Sequence, residues 1–156
     1  MGKGAWRGIA GALALAACTL AHGETPEARA AYKATMKTAN ADYNAARAHC
    51  RTLSRNPRTV CIAEAKAALR KAEADAAATL HDTERARADA RVTGAKADYQ
   101  VDKAKCGDRK GDERKACIKE ARARQSEAMS ESVKQERAPT AAAAAKAPAI
   151  PHTKTP

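Results

Sequence analysis

Beyond residue 24 the apolar positions recur in alternating steps of four and three, the spacing of one helical face. Tyr32, Met36, Ala39, Tyr43, Ala46, Cys50 and Leu53 make the first stripe. It predicts a helix from a Thr25 cap, through Pro26 and Glu27, to about Leu53. A second stripe runs through Cys61, Ala65, Leu69, Ala72, Ala76, Leu80 and Thr83, then Ala90, Gly94, Ala97, Val101 and Ala104. It predicts one unusually long helix from Pro57 to about Lys105. Gly94 weakens that helix by about 1 kcal/mol relative to alanine, so a kink or break is expected there. A third helix, from about Glu113 to Arg137, turns Ile118, Ala121, Gln125, Met129 and Val133 inward.

The turns between these helices carry a duplication. Ala41-Asp42-Tyr43, Cys50 and Cys61-Ile62 are answered by Ala97-Asp98-Tyr99, Cys106 and Cys117-Ile118. Tyr99, Cys106 and Cys117 each stand 56 positions after Tyr43, Cys50 and Cys61. The repeat units span about 41–67 and 97–123, and such a repeat reports one supersecondary unit used twice. Each cysteine pair brackets helix-breaking residues. Asn56 suits an N-cap and Pro57 the first helical position. Gly107 suits a left-handed helix end and Asp112 the next cap.

The repeat pairs Cys50 with Cys61 and Cys106 with Cys117, among the three connectivities four cysteines allow. Each bridge would tie the end of one helix to the start of the next and add about 3 kcal/mol in the chain-entropy model. The predicted fold is all-α: elongated, coiled-coil-like antiparallel hairpins, two of them disulfide-stapled αα-hairpins sharing a long central helix. With the bridges setting register, Tyr43 falls beside Ala68 and Leu69, and Tyr32 beside Thr79 and Leu80. Met129 faces Gly94, and Val133 faces Ala90. The outer helices then fold back on opposite halves of the middle one, in a Z-shaped or bundle-like arrangement. At seam spacing, Tyr32, Tyr43 and Tyr99 read as core rather than as a stacking surface.

Composition sharpens this picture. Hydrophobic residues are 44% of the chain, but mostly alanine, with no Phe and 3% aromatics. The large aliphatics fall well below the ~20% under which a charged chain loses its core. Order must come from helix propensity, close packing of small side chains and cross-links.

The N-terminus has the layout of a secretory signal over residues 1–23: Lys3 and Arg7, then the uncharged run Ile9 to Ala17, then small residues. Ala21-His22-Gly23 would be cleaved to leave Glu24 first. Leu15-Ala16-Ala17-Cys18 offers the competing reading, a lipobox that would place a lipid anchor on Cys18. No later segment is apolar enough to cross a bilayer. Residues 24–137 form the helical repeat region, and 138–156 a basic Ala/Pro tail expected to be disordered.

Net charge is +11, or +9 once Lys3 and Arg7 leave with the leader. That favours an anionic partner: an acidic envelope protein, lipopolysaccharide, an anionic membrane face or nucleic acid. The charges are interspersed rather than gathered, so the basic bias reads first as that of a solvated helical surface. No catalytic residues, cofactor or metal are expected. His49, His81 and His152 stand at no triad or zinc spacing, and phosphate-loop, dinucleotide and H-E-x-x-H motifs are missing.

The leader, the Ala/Lys-rich helices and the paired C-x10-C units resemble a set of uncharacterised exported proteins of proteobacteria, loosely likened to the cell-envelope protein TolA. The likeness covers most of residues 1–137, and the cysteine units are its specific part. It implies an exported helical protein and supplies no activity. The expected function is therefore a non-enzymatic periplasmic protein of structural or binding role, with self-association or an unknown envelope partner; an outer-membrane lipoprotein is the alternative location. An ATP-independent periplasmic chaperone is the second reading. Histone-like nucleic-acid binding is the third, with the leader and cysteines against it.

Overall fold

The computed structural model describes residues 24–137; the signal segment, Cys18 and the 138–156 tail lie outside the described residues. Four helices follow in order: α1 Pro26–Cys50, α2 Arg55–His81, α3 Glu84–Lys105 and α4 Gly111–Arg137, with a short 3-10 turn at Cys106–Asp108 before α4. Among the described residues there is no strand. At 1.5 Å rise per residue, the 27 residues of α2 make a rod about 40 Å long.

Each helix packs antiparallel on the next, α1 on α2, α2 on α3 and α3 on α4. Cross-helix pairs set the directions. Glu24, just ahead of α1, meets His81 at the end of α2. Lys71 meets Asp98, and Glu64 meets Lys105, across α2 and α3. Asp102 meets Arg124, and Arg85 meets Glu136, across α3 and α4. The all-α class and both stapled hairpins are therefore present.

The long central helix is not. It breaks at Asp82 and Thr83, and its halves fold against each other as α2 and α3. Asp82 takes the left-handed conformation (φ 46) that closes α2. Asp is among the few L-residues that enter this region readily. Thr83 then caps α3, its Oγ1 accepting from Ala86 N at 3.0 Å. Arg87 fastens the turn by donating to both Asp82 and Glu84. Those bonds, Glu84 first and Asp82 second, hold the Arg87 guanidinium above its ordinary pKa. The expected weak point, Gly94, lies inside α3, and a Cβ there would touch Lys71 of α2 rather than Met129. The Z-shaped alternative goes with the central helix, and four rods lie side by side.

The first stripe holds throughout. Ala39 and Cys50 are buried, and Tyr32, Met36, Tyr43, Ala46 and Leu53 are half-buried, with exposed residues between them. Thr25 caps α1 as expected, accepting from Ala28 N at 3.1 Å. The inner helices bury a second face that one stripe did not anticipate: Ala67 and Ala78 on α2, Ala88 and Ala95 on α3. Ala67, Ala97 and Val101 form the core between them, with Ala63 against it. On α4 the stripe follows Ala121 and Met129 but then steps to Ser132, which is buried and donates to Ala128 O. Val133, expected inward, is 40% exposed.

The turn chemistry is also corrected. α2 starts at Arg55 after Ser54, so Asn56 and Pro57 fall inside its first turn rather than at its cap. Gly107 sits in the 3-10 turn without a positive φ, and Asp112 lies inside the first turn of α4. The left-handed residue is Gly111, at φ 52. Its counterpart one repeat earlier is Arg55, at φ 54. Both hairpins thus enter their second helix through the same backbone conformation, which suits glycine and strains arginine. A Cβ on Gly111 would meet nothing within 4 Å, so the cost of replacing it is conformational alone. Gly111→Ala is expected to lose about 1 kcal/mol in urea unfolding. Arg55→Gly should be neutral or stabilising, and a loss of stability in Arg55→Gly would refute the equivalence.

Candidate functional site

Both disulfides form as paired by the repeat, with Cα–Cα distances of 5.6 Å for Cys50–Cys61 and 5.9 Å for Cys106–Cys117. Cys50 and Cys106 have no exposed surface. Because α2 and α3 are antiparallel, both stapled tips lie at one end of the molecule. They touch there: a Cβ built on Gly107 would collide with the Asn56 side-chain amide. Gly107 is small because the other tip's amide occupies the space.

Two grooves open on opposite faces of the α2–α3 pair. The first, of about 1230 Å³, lies between the N-terminal end of α1 and the C-terminal end of α4. Its charges are mixed: Lys71, Arg87 and Arg91 against Asp75, Asp98 and Glu131. Arg91 is the anomaly in it. Its Nε and Nη2 are shielded from solvent and make no hydrogen bond among the described residues.

The second groove, of about 1060 Å³, runs along the other face toward the stapled tips. Lys66 and Arg70 of α2, Lys96 and Lys103 of α3, and Arg114 of α4 line it, with no carboxylate among the lining residues. All five are exposed. None forms an ion pair among the described residues, whereas Lys71, Lys105 and Arg124 nearby all do. Neutral donors, among them Asn56, Thr59 and Gln100, fill the spaces between. Tyr99 also borders this groove, and its hydroxyl accepts from Arg122 Nε at 3.3 Å, a bond that raises the Arg122 pKa.

The other sequence candidates go elsewhere. Tyr32 and Tyr43 are half-buried on α1, and the Arg47 guanidinium lies 5.5 Å from the Tyr43 ring centre. His81 pairs with Glu24. Among the described residues no three His, Cys, Asp or Glu side chains gather where they could hold a metal. The basic groove does not show in the apolar stripes. On a continuous helix Arg70 and Lys96 would stand about 39 Å apart, and only the hairpin at Asp82 brings their faces together. The available signal was the repeat itself: carried forward 56 positions, Pro26 lands on Asp82, where the second unit should begin.

Comparison with protein families, curated proteins and solved structures finds no match.

Two outcomes follow from this geometry. Replacing Cys106 and Cys117 together with alanine should cost about 3 kcal/mol, read as a lower urea midpoint, and reducing the native protein should have the same direction. Arg91→Met should be neutral or raise stability by about 1 kcal/mol, since it removes a shielded, unpartnered guanidinium. A loss of stability in that variant would mean Arg91 has a partner in solution.

Proposed function

We propose that this chain is a non-enzymatic exported protein of the cell envelope that works by presenting a rigid helical surface to a partner. The two equivalent cystines at one end of a four-helix body carry this reading. Stable structural disulfides belong to oxidising compartments, and the N-terminal segment reads as the signal that would deliver the chain there. Among the described residues no helix is long and apolar enough to cross a membrane, which accords with attachment, where it exists, through Cys18 or through a partner. Self-association remains one form the partner can take.

The chaperone reading has less support. Client binding without ATP needs apolar surface, and among the described residues Val133 is the one large hydrophobic side chain on the outside.

Intact-mass analysis of the protein from its own cells, with and without reduction, tests the proposal. The expected species comes from the envelope fraction, carries no free thiol, and starts at Glu24 or bears lipid on Cys18. In-cell crosslinking should capture an envelope protein or a second copy. Recovery from cytoplasm with the leader attached and all five thiols free would remove the proposal.

A further inference from the structure

The basic groove has a chemistry of its own, and we infer that it is a binding site for clustered phosphate groups, as in a polyphosphate or a multiply phosphorylated headgroup. This deepens the surface-binding reading and rests on it, but the two fail separately: location and oxidation are read in cells, anion affinity on the purified chain.

Lys66, Arg70, Lys96, Lys103 and Arg114 face one concavity, and none has a carboxylate partner among the described residues. Elsewhere on the same two helices, Lys71, Arg87 and Lys105 are each matched to an acid. Like charges held around one groove repel, and a bound anion relieves that repulsion. The N-terminal end of α2 adds to the positive field. Its first turn has no acidic residue, unlike those of α1, α3 and α4, and Asn56 and Thr59 from it border the groove.

The groove's shape and donors narrow the ligand. Its volume is that of a small-molecule site, so it takes a compact anion or a short stretch of a linear one, not a flat bilayer face. Two guanidinium groups favour planar, forked contact with phosphate, and the lysines supply point charges. Thr59, Asn56 and Gln100 offer neutral donors for remaining oxygens. A single carboxylate would leave most of the five cations unanswered, whereas two or more phosphates answer them. Nucleic acid fits less well. Single strands bind through rows of stacking rings, and Tyr99 is the one ring in the groove, already engaged by Arg122.

The test uses the purified, oxidised chain and inorganic tripolyphosphate, titrated by calorimetry at several salt concentrations. The groove variant is Lys66→Gln/Lys96→Gln/Lys103→Gln. The control is Lys33→Gln/Lys37→Gln/Lys119→Gln, which removes equal charge from exposed positions on α1 and α4 outside the groove. Circular dichroism confirms that both fold. The groove variant should lose about tenfold or more in affinity with a shallower salt dependence, while the control stays close to the parent. Vesicles of phosphatidylcholine doped with a bis-phosphorylated lipid form the second arm. Groove-dependent binding to them assigns the phosphates to a headgroup; groove-dependent binding of tripolyphosphate alone assigns them to a free anion. No tripolyphosphate binding, equal losses in the two variants, or tighter groove binding of a base-bearing single strand with the same number of phosphates would each overturn the inference.

Discussion

Helices whose inward faces are alanine must approach closely, and must be held there by something other than bulk. Among the described residues, ten of the fourteen buried hydrophobic ones are alanine and three are half-cystines, leaving Val101 as the only branched one. A methyl group removed from water contributes on the order of 0.8 kcal/mol, while ordering each residue costs 1–2 kcal/mol. The two sulfur bridges shift that balance by restricting the unfolded chain. Their placement matters as much as their number. Each fixes the register at the start of a hairpin, so small side chains further along meet without a search. The same close approach leaves long Lys and Arg stems at the seam edges, which is how a protein with almost no large apolar residues comes to have charged grooves.

What the sequence disclosed was whatever repeats locally. The stripe from Tyr32 to Cys50 became the inward face of α1 residue for residue, because α1 packs on one neighbour and needs only one face. The cysteine pairing followed from the duplication. The inner helices resisted the same treatment because they bury two faces, and alanine does not distinguish a buried face from an exposed one. Ala63 and Ala67, which pack with Ala97 and Val101 of α3, looked like ordinary helix filler. The break at Asp82 was hidden for a related reason. It contains neither glycine nor proline, and an Asp in the left-handed region followed by a capping Thr makes the turn with residues common on helix surfaces. The stripe did falter there, with no apolar residue between Thr83 and Ala90 other than Ala86 and Ala88 on the wrong phase. Gly94 was the more conspicuous residue, but it lies within α3, and a Cβ there would only reach ordinary contact with the Lys71 stem at 4.0 Å.

The duplication also explains why the molecule is four rods rather than two. One hairpin alone would leave the flank of α2 carrying Ala67 and Ala78 in water; a second unit covers it with α3. Repeat units commonly need a neighbour to bury such a face. The seam between the copies is tied at several levels: Asn56 against Gly107 at the tips, Glu64 to Lys105, Ala67 with Ala97 and Val101, and Lys71 to Asp98. The copies have diverged where the backbone permits. Gly111 satisfies the left-handed entry to α4, while Arg55 makes the same entry to α2 against its preference.

Charge divides this seam in a way that packing does not require. On one face, Lys71 pairs with Asp98 and Glu64 with Lys105 across α2 and α3. On the other, Lys66 and Arg70 confront Lys96 and Lys103 across the same two helices without an acid between them. A helical pair selected for stability alone gains from opposite charges on both faces, and Lys or Glu serve the solvated side equally well by propensity. Repulsion across one face, beside complementarity across the other, is what an anion-accepting surface requires and what a scaffold with no ligand would lose by having.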